Sequence, residues 1–277
     1  MRSFTIILWL LAMTHIEGAR AAASVQTEQL VVELISESAA LAPGETTWLG
    51  LRLKHAPSWH TYWINPGDSG LPTKLKWTLP EGYSASDIEW PTPKRFSVGE
   101  LANFGYEGDM LLPVALHVPA DAKAGSRVNV AVDARWLVCH EECIPGRAPL
   151  ALDLPVAAQT QMDPRWRSAF ANMRAAKPDS LKAIARDTGS QIEVRLPGAD
   201  IGRDASVDAF AVQTKVVANA RPVVSPHAAS TLLTFAKSDY FTSLPDALDL
   251  VLIRANAPAL RVHATFAGPP ASSSRPQ

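Results

Sequence analysis

The chain has 277 residues, with 26 basic and 27 acidic side chains for a net charge of −1. With no basic stripe or polybasic tail, this balance argues against nucleic acid and anionic membrane as partners. The 22 prolines, 15 glycines and only two cysteines fit a globular protein of many short strands, long enough for one large core or two ordinary ones.

Met1-Arg2 is followed by an apolar run from Phe4 to Met13 and by Ala19-Arg20-Ala21-Ala22-Ala23, the layout of a secretory signal peptide cleaved near Ala21 or Ala23. The run is about ten residues, whereas a helix crossing a bilayer needs roughly 20. No cysteine stands near the cleavage point to take a lipid. Residues 1–23 are thus expected to be a signal peptide, and the exported remainder to be soluble, with no membrane insertion.

Residues 25–157 alternate short Val-, Leu-, Trp- and Tyr-rich segments (30–34, 47–53, 75–79, 111–118, 128–138 and 150–154) with turn signals such as Ala42-Pro43-Gly44-Glu45 and Asn65-Pro66-Gly67-Asp68. About seven strands at this spacing predict an immunoglobulin-like β-sandwich. A connecting helix is expected within 160–178. Asp163 can cap it, Pro164 suits its first position, Trp166, Phe170 and Met173 share a face, and Lys177-Pro178 ends it. Segments 191–196, 207–212, 231–235, 248–253 and 260–266 then read as a second β-sandwich-like domain over 179–267, and the Pro-, Ser- and Ala-rich residues 268–277 as a disordered tail. The fold class is therefore all-β: an immunoglobulin-like sandwich, a connecting helix and a second β domain. No internal repeat relates the halves.

Chemistry concentrates in Trp136-Leu137-Val138-Cys139-His140-Glu141-Glu142-Cys143-Ile144-Pro145-Gly146. Two cysteines in an exported chain are normally oxidised. A disulfide holds its Cα atoms about 4.4–6.8 Å apart, whereas four steps of extended strand cover roughly 13 Å. The segment between them must therefore double back if they bond. A five-residue loop contributes only about 2 kcal/mol by chain entropy, against almost 5 for a loop of about a hundred residues, which argues against a simple staple. Small loops tend to carry strain, and strained or exposed disulfides are the reducible ones. His140, if protonated, would lower a neighbouring thiol's pKa, and Glu141 and Glu142 would raise it. A redox pair, a structural disulfide and a metal site all remain open on the residues alone.

Gly67-Asp68-Ser69-Gly70 has the look of a protease nucleophile segment, but only His55 and His60 precede Ser69 after the leader, so no triad assembles in the expected order. Cys139, His140 and Cys143 are ligand types suited to Cu(I) or Zn(II). Against that, the five methionines are scattered and His55, His117, His227 and His263 stand isolated. No cofactor is expected, with Cu(I) as the alternative.

Four stretches carry a resemblance: residues 59–72 (WHTYWINPGDSGLP), 90–96 (WPTPKRF), 104–108 (FGYEG) and 136–145, which spans the cysteines. Together they resemble the periplasmic N-terminal region of the DsbD/ScsB thiol:disulfide interchange proteins, in the ScsB branch linked to copper tolerance. Residues 231–245 resemble the same group more weakly. The resemblance implies a periplasmic domain that receives electrons at Cys139 and Cys143 and passes them on by disulfide exchange. It also implies an aromatic shield over the pair, carried here to Phe104, with Tyr62 and Tyr106 as neighbours. The C-x3-C spacing is shorter than in the best-known DsbD members. Full-length relatives continue into a membrane domain and a thioredoxin-like domain, so the implied partners are periplasmic thioredoxin-like proteins and a separate membrane electron donor.

Overall fold

The computed structural model describes residues 22–197, 207–227, 229–255 and 257–267. Nearly all of the expected signal peptide, and the whole of the tail at 268–277, lie outside the described residues. The first unit comprises β1 (Ser24–Gln26), β2 (Leu30–Ser36), β3 (Ser38–Ala40), β4 (Thr46–His55), β5 (His60–Gly67), β6 (Lys74–Thr78), β7 (Ser84–Ala85), β8 (Lys94–Val98), β9 (Leu101–Glu107), β10 (Asp109–His117), β11 (Arg127–Cys139), β12 (Cys143–Pro155) and β13 (Gln161–Met162). After α1 (Arg167–Ala175), the second unit comprises β14 (Asp179–Asp187), β15 (Gln191–Pro197), β16 (Asp208–Ala211), β17 (Val223–His227), β18 (Ser230–Ala236), β19 (Ala247–Arg254) and β20 (Ala257–Phe266).

Strand alternation builds the first unit. In β11 every second residue from Val128 to Val138 is buried, as period-2 side-chain direction requires of a strand with one face on a core. One sheet runs β1-β2-β4-β10-β7. The other runs β12-β11-β5-β9-β8, with β6 also paired to β11. Leu34, Leu51 and Leu112 of the first sheet share a core with Trp63, Val132 and Trp136 of the second, which makes the immunoglobulin-like sandwich expected from the sequence. The motif at residues 59–72 is a strand as well as a turn: β5 occupies the middle of the second sheet.

The helix is shorter than its flanking signals predict. The Asp163 carboxylate takes the backbone N–H of Arg165 at 2.9 Å and its guanidinium at 2.6 Å. Residues 164–166 form a turn, and the helix begins at Arg167 with no side-chain cap. Asp and Asn side chains make such local bonds readily, and these compete with helix initiation. Phe170 is the buried residue on the helix.

The second unit is one curled seven-stranded sheet, ordered β16-β19-β20-β14-β15-β18-β17. It closes over Ile192, Val194, Leu233, Leu250 and Val262. β14, which the sequence reading left unassigned, pairs in parallel with β20. The edge strand β16 lies against the first unit, and its Phe210 belongs to that unit's core cluster. The Phe210 ring meets Phe104 edge-on at 4.9 Å and Trp63 at 6.4 Å.

Phe210 is 1% exposed and carries the second unit's edge strand into the first unit's core. Phe210→Ala should therefore lower stability by about 3–5 kcal/mol, as truncation of a buried aromatic does. Chemical denaturation reads this directly, and an unchanged midpoint would contradict the packing described.

Candidate functional site

The two cysteines close a long hairpin. β11 and β12 pair without interruption from Arg127↔Pro155 to Cys139↔Cys143, and a disulfide joins the last pair with Cα atoms 4.2 Å apart. His140, Glu141 and Glu142 form the reversal, in which the His140 N–H donates to the Glu142 carbonyl at 3.0 Å. β12 is an edge strand, which explains how it accommodates Pro145 without losing a needed ladder bond. Gly146 faces Trp136, whose ring fills the place of a side chain: a Cβ there would meet the indole at 2.3 Å.

Burial divides the pair. Cys139 is 2% exposed, whereas Cys143 and the three loop residues are exposed. Trp59 lies beside His140, their ring centroids 5.9 Å apart.

On the next strand, His60 is the register partner of Cys139, so both side chains leave the same face of the sheet. Two residues on, Tyr62 shares that face, and its hydroxyl lies 3.8 Å from Cys143 Sγ. His60 meets Tyr62 edge-on at 5.3 Å and stacks flat on Phe96 at 4.7 Å with an interplanar angle of 13°. The inner side of the disulfide is therefore bordered by His60 and Tyr62, and His60 in turn by Phe96.

The loop after β5 makes this arrangement possible. Gly70 sits at φ +99°, and a Cβ there would strike the Tyr62 ring at 2.2 Å. Gly67, at φ +89°, is held equally close to the Ala102 carbonyl. Asp68 takes the Ala102 N–H at 2.7 Å, and Asn103 takes the Ser69 N–H and hydroxyl at 3.1 and 3.0 Å. The Gly-Asp-Ser-Gly segment is thus a turn locked to β9.

Buried polar rings line the inner side of the site. Burial holds the His60 imidazole below its ordinary value of 6.5, helped by neighbouring His55 and His140 and opposed by Glu107. Its Nε2 is buried with no hydrogen-bond partner among the described residues. His55 is likewise depressed by burial, its ring bonded to the Gly108 carbonyl at 2.8 Å and to Thr61 Oγ1 at 3.0 Å. Burial pushes the Tyr62 phenol up.

The other two anticipated shielding residues lie elsewhere. Phe104 pairs with Arg95, and Tyr106 with Thr61, so alternation sends both to the face opposite His60 and Tyr62. Phe104 is 1% exposed and packs on Phe210. The Tyr106 hydroxyl donates to the Pro91 carbonyl at 2.8 Å, and complete burial pushes its phenol well above the ordinary range. Phe96 shares the sheet face of His60 and stacks on it. It was legible as part of the Lys94-Arg95-Phe96 motif, but its facing depends on the β8–β9 register. As for metal, the sulfurs are bonded to each other, and no group of three or more His, Cys, Asp or Glu side chains among the described residues could hold an ion.

The first unit is an immunoglobulin-like sandwich with a disulfide closing a hairpin at its rim. Residues 31–155 match the family described as "Thiol:disulfide interchange protein DsbD, N-terminal", and this stretch of the chain is a domain of that family. The crystal structure of the N-terminal periplasmic domain of ScsB from Proteus mirabilis superposes with a TM-score of 0.68 at 18% identity, covering 88% of this chain and 97% of that one. The likeness extends over both units and shows a common fold. A stretch of titin, domains I67–I69, aligns at a TM-score of only 0.21 and 13% identity over 87% of this chain and 66% of that one. No curated protein matches the chain in sequence.

The depressed histidines set an acid limit on stability. Well above pH 6.5 they are neutral in both folded and unfolded chains and contribute no slope. As pH falls below 6.5 the unfolded chain takes up protons that the folded sites resist, so stability falls. The melting temperature should be flat from pH 7 to 8 and decline towards pH 5, and His60→Phe should flatten part of that decline. An identical slope in the variant would contradict the burial described.

Proposed function

We propose that the chain is a periplasmic thiol:disulfide interchange protein that relays electrons through Cys139 and Cys143 to or from thioredoxin-like partners, with a membrane protein as electron donor. The observation that carries this reading is the unequal exposure of the two sulfurs: Cys143 stands at the rim and Cys139 is 2% exposed. Membership of residues 31–155 in the interchange family supports the chemistry, and the periplasmic origin of the ScsB domain supports the compartment. Among the described residues no helix is long and apolar enough to cross a membrane.

In the receiving direction a donor thiolate attacks Cys143 Sγ. The S–S bond breaks, Cys139 leaves as a thiolate that takes up a proton, and a mixed disulfide links the donor to Cys143. The donor's second thiolate then attacks its own sulfur in that mixed disulfide and releases Cys143. Two electrons have moved: the donor dithiol is now a disulfide and the pair is a dithiol. Delivery to an oxidised partner is the same sequence reversed, with Cys143 attacking and Cys139 resolving.

A structural disulfide is the weaker reading, because a loop of this size adds only about 2 kcal/mol. Cys139→Ala leaves the exposed Cys143 free and should trap a thioredoxin-like partner as a mixed disulfide, whereas Cys143→Ala should trap far less. Equal trapping by both, or none by either, would count against the assignment.

Phe96 gives the site its cover in this reading. Phe96→Ala should speed reduction of the disulfide by dithiothreitol several-fold, and an unchanged rate would remove its shielding role.

A further inference from the structure

The hairpin that carries Phe96 is held from outside its own sheet. Arg95, the preceding residue, points to the opposite face and into the second unit. Its Nε and Nη2 donate to both carboxylate oxygens of Asp208 at 2.9 and 2.7 Å, and Nη1 donates to the Asn219 carbonyl. The pair is almost fully covered, with side-chain exposures of 12% and 9%. The guanidinium also lies over two rings, 4.8 Å from the centroid of Phe104 and 5.2 Å from that of Phe210. Bidentate geometry with a stacked guanidinium fixes position as well as charge.

Two more bonds from the same part of the second unit reach the loop against which Tyr62 packs. Asn219 donates to Asp68 Oδ1 at 2.8 Å, and Asn65 donates to the Ala211 carbonyl at 2.8 Å. Both segments that frame the inner side of the disulfide, β8–β9 and the end of β5 with the loop that follows it, are therefore tied to β16 and the loop after it. A two-stranded hairpin alone is at best marginally stable. β8 is the outermost strand of its sheet.

We propose that Asp208 and Arg95 are positioning residues: through this pair the second unit holds Phe96 against His60 and so sets how readily the Cys139–Cys143 disulfide reacts. The inference rests on the exchange reading and assigns the second unit a part in it. A partner that pulls the β8–β9 hairpin outward works against the pair, and one that docks without moving it meets a covered site.

The test is a double-mutant cycle on the full chain, reading the rate of disulfide reduction by dithiothreitol with a thermal melt of each variant as the check on folding. Asp208→Asn keeps the shape and removes the charge, and should raise the rate several-fold. In a Phe96→Ala background the same substitution should add nothing further, because both act through one ring. Arg95→Lys, which keeps the charge and loses the bidentate bond, is the second variant should Asp208→Asn fail to fold, and it should raise the rate in the same direction. The proposal is overturned if a folded Asp208→Asn or Arg95→Lys protein reacts at the parent rate, or if Asp208→Asn accelerates the Phe96→Ala protein as much as the parent. A Phe96→Ala protein that itself reacts at the parent rate refutes the shield, whereas failure to trap any partner through Cys143 refutes the exchange reading and leaves the mechanical coupling measurable.

Discussion

The site depends first on the pairing of β11 with β12. Thirteen consecutive residues of β11 find partners, and that ladder brings Cys143 back beside Cys139 after a reversal of only three residues. Because β12 is an edge strand and β11 its inner neighbour, the two sulfurs arrive in unequal surroundings, one at the rim and one against β5. Attack on a disulfide is directional. The asymmetry that chemistry needs is thus supplied by strand order, before any charged residue is considered.

The second constraint is the two-faced character of β5 and β9. One face places His60 and Tyr62 beside the sulfurs. The other places Trp63, Phe104 and Tyr106 in the core shared with Phe210. A single sheet therefore serves as the wall beside the disulfide and as the docking surface for the second unit. Arg95 and Phe96, adjacent in sequence, are the clearest case: one is fixed by Asp208 and the other stacks on His60. Asp208 also meets Arg221 at 3.4 Å, whereas removing Asp208 leaves the covered Arg95 without its carboxylate.

Much of this was readable from the sequence, for definite physical reasons. The cysteine spacing cannot be bridged by extended chain, so a reversal followed from geometry, and the alternation in residues 128–138 announced β11. The Gly-Asp-Ser-Gly turn was recognisable from its composition. Its purpose was not, since the space that Gly70 leaves for the Tyr62 ring is a tertiary contact. Phe104 was given the shield role by the family resemblance, which implies an aromatic over the pair. Register places it on the other face, and register is set by long-range pairing. The helix start was misplaced because Asp163 bonds Arg165 locally in preference to capping. The Arg95–Asp208 bond spans 113 positions, and no local pattern signals it.

The most direct test of the account is a redox titration of the purified protein in glutathione buffers, with the thiols of Cys139 and Cys143 counted by alkylation and mass. The account predicts a reversible two-electron transition in the range of known exchange proteins, about −120 to −270 mV. A pair that stays oxidised below about −300 mV would instead mark a structural disulfide and contradict the relay.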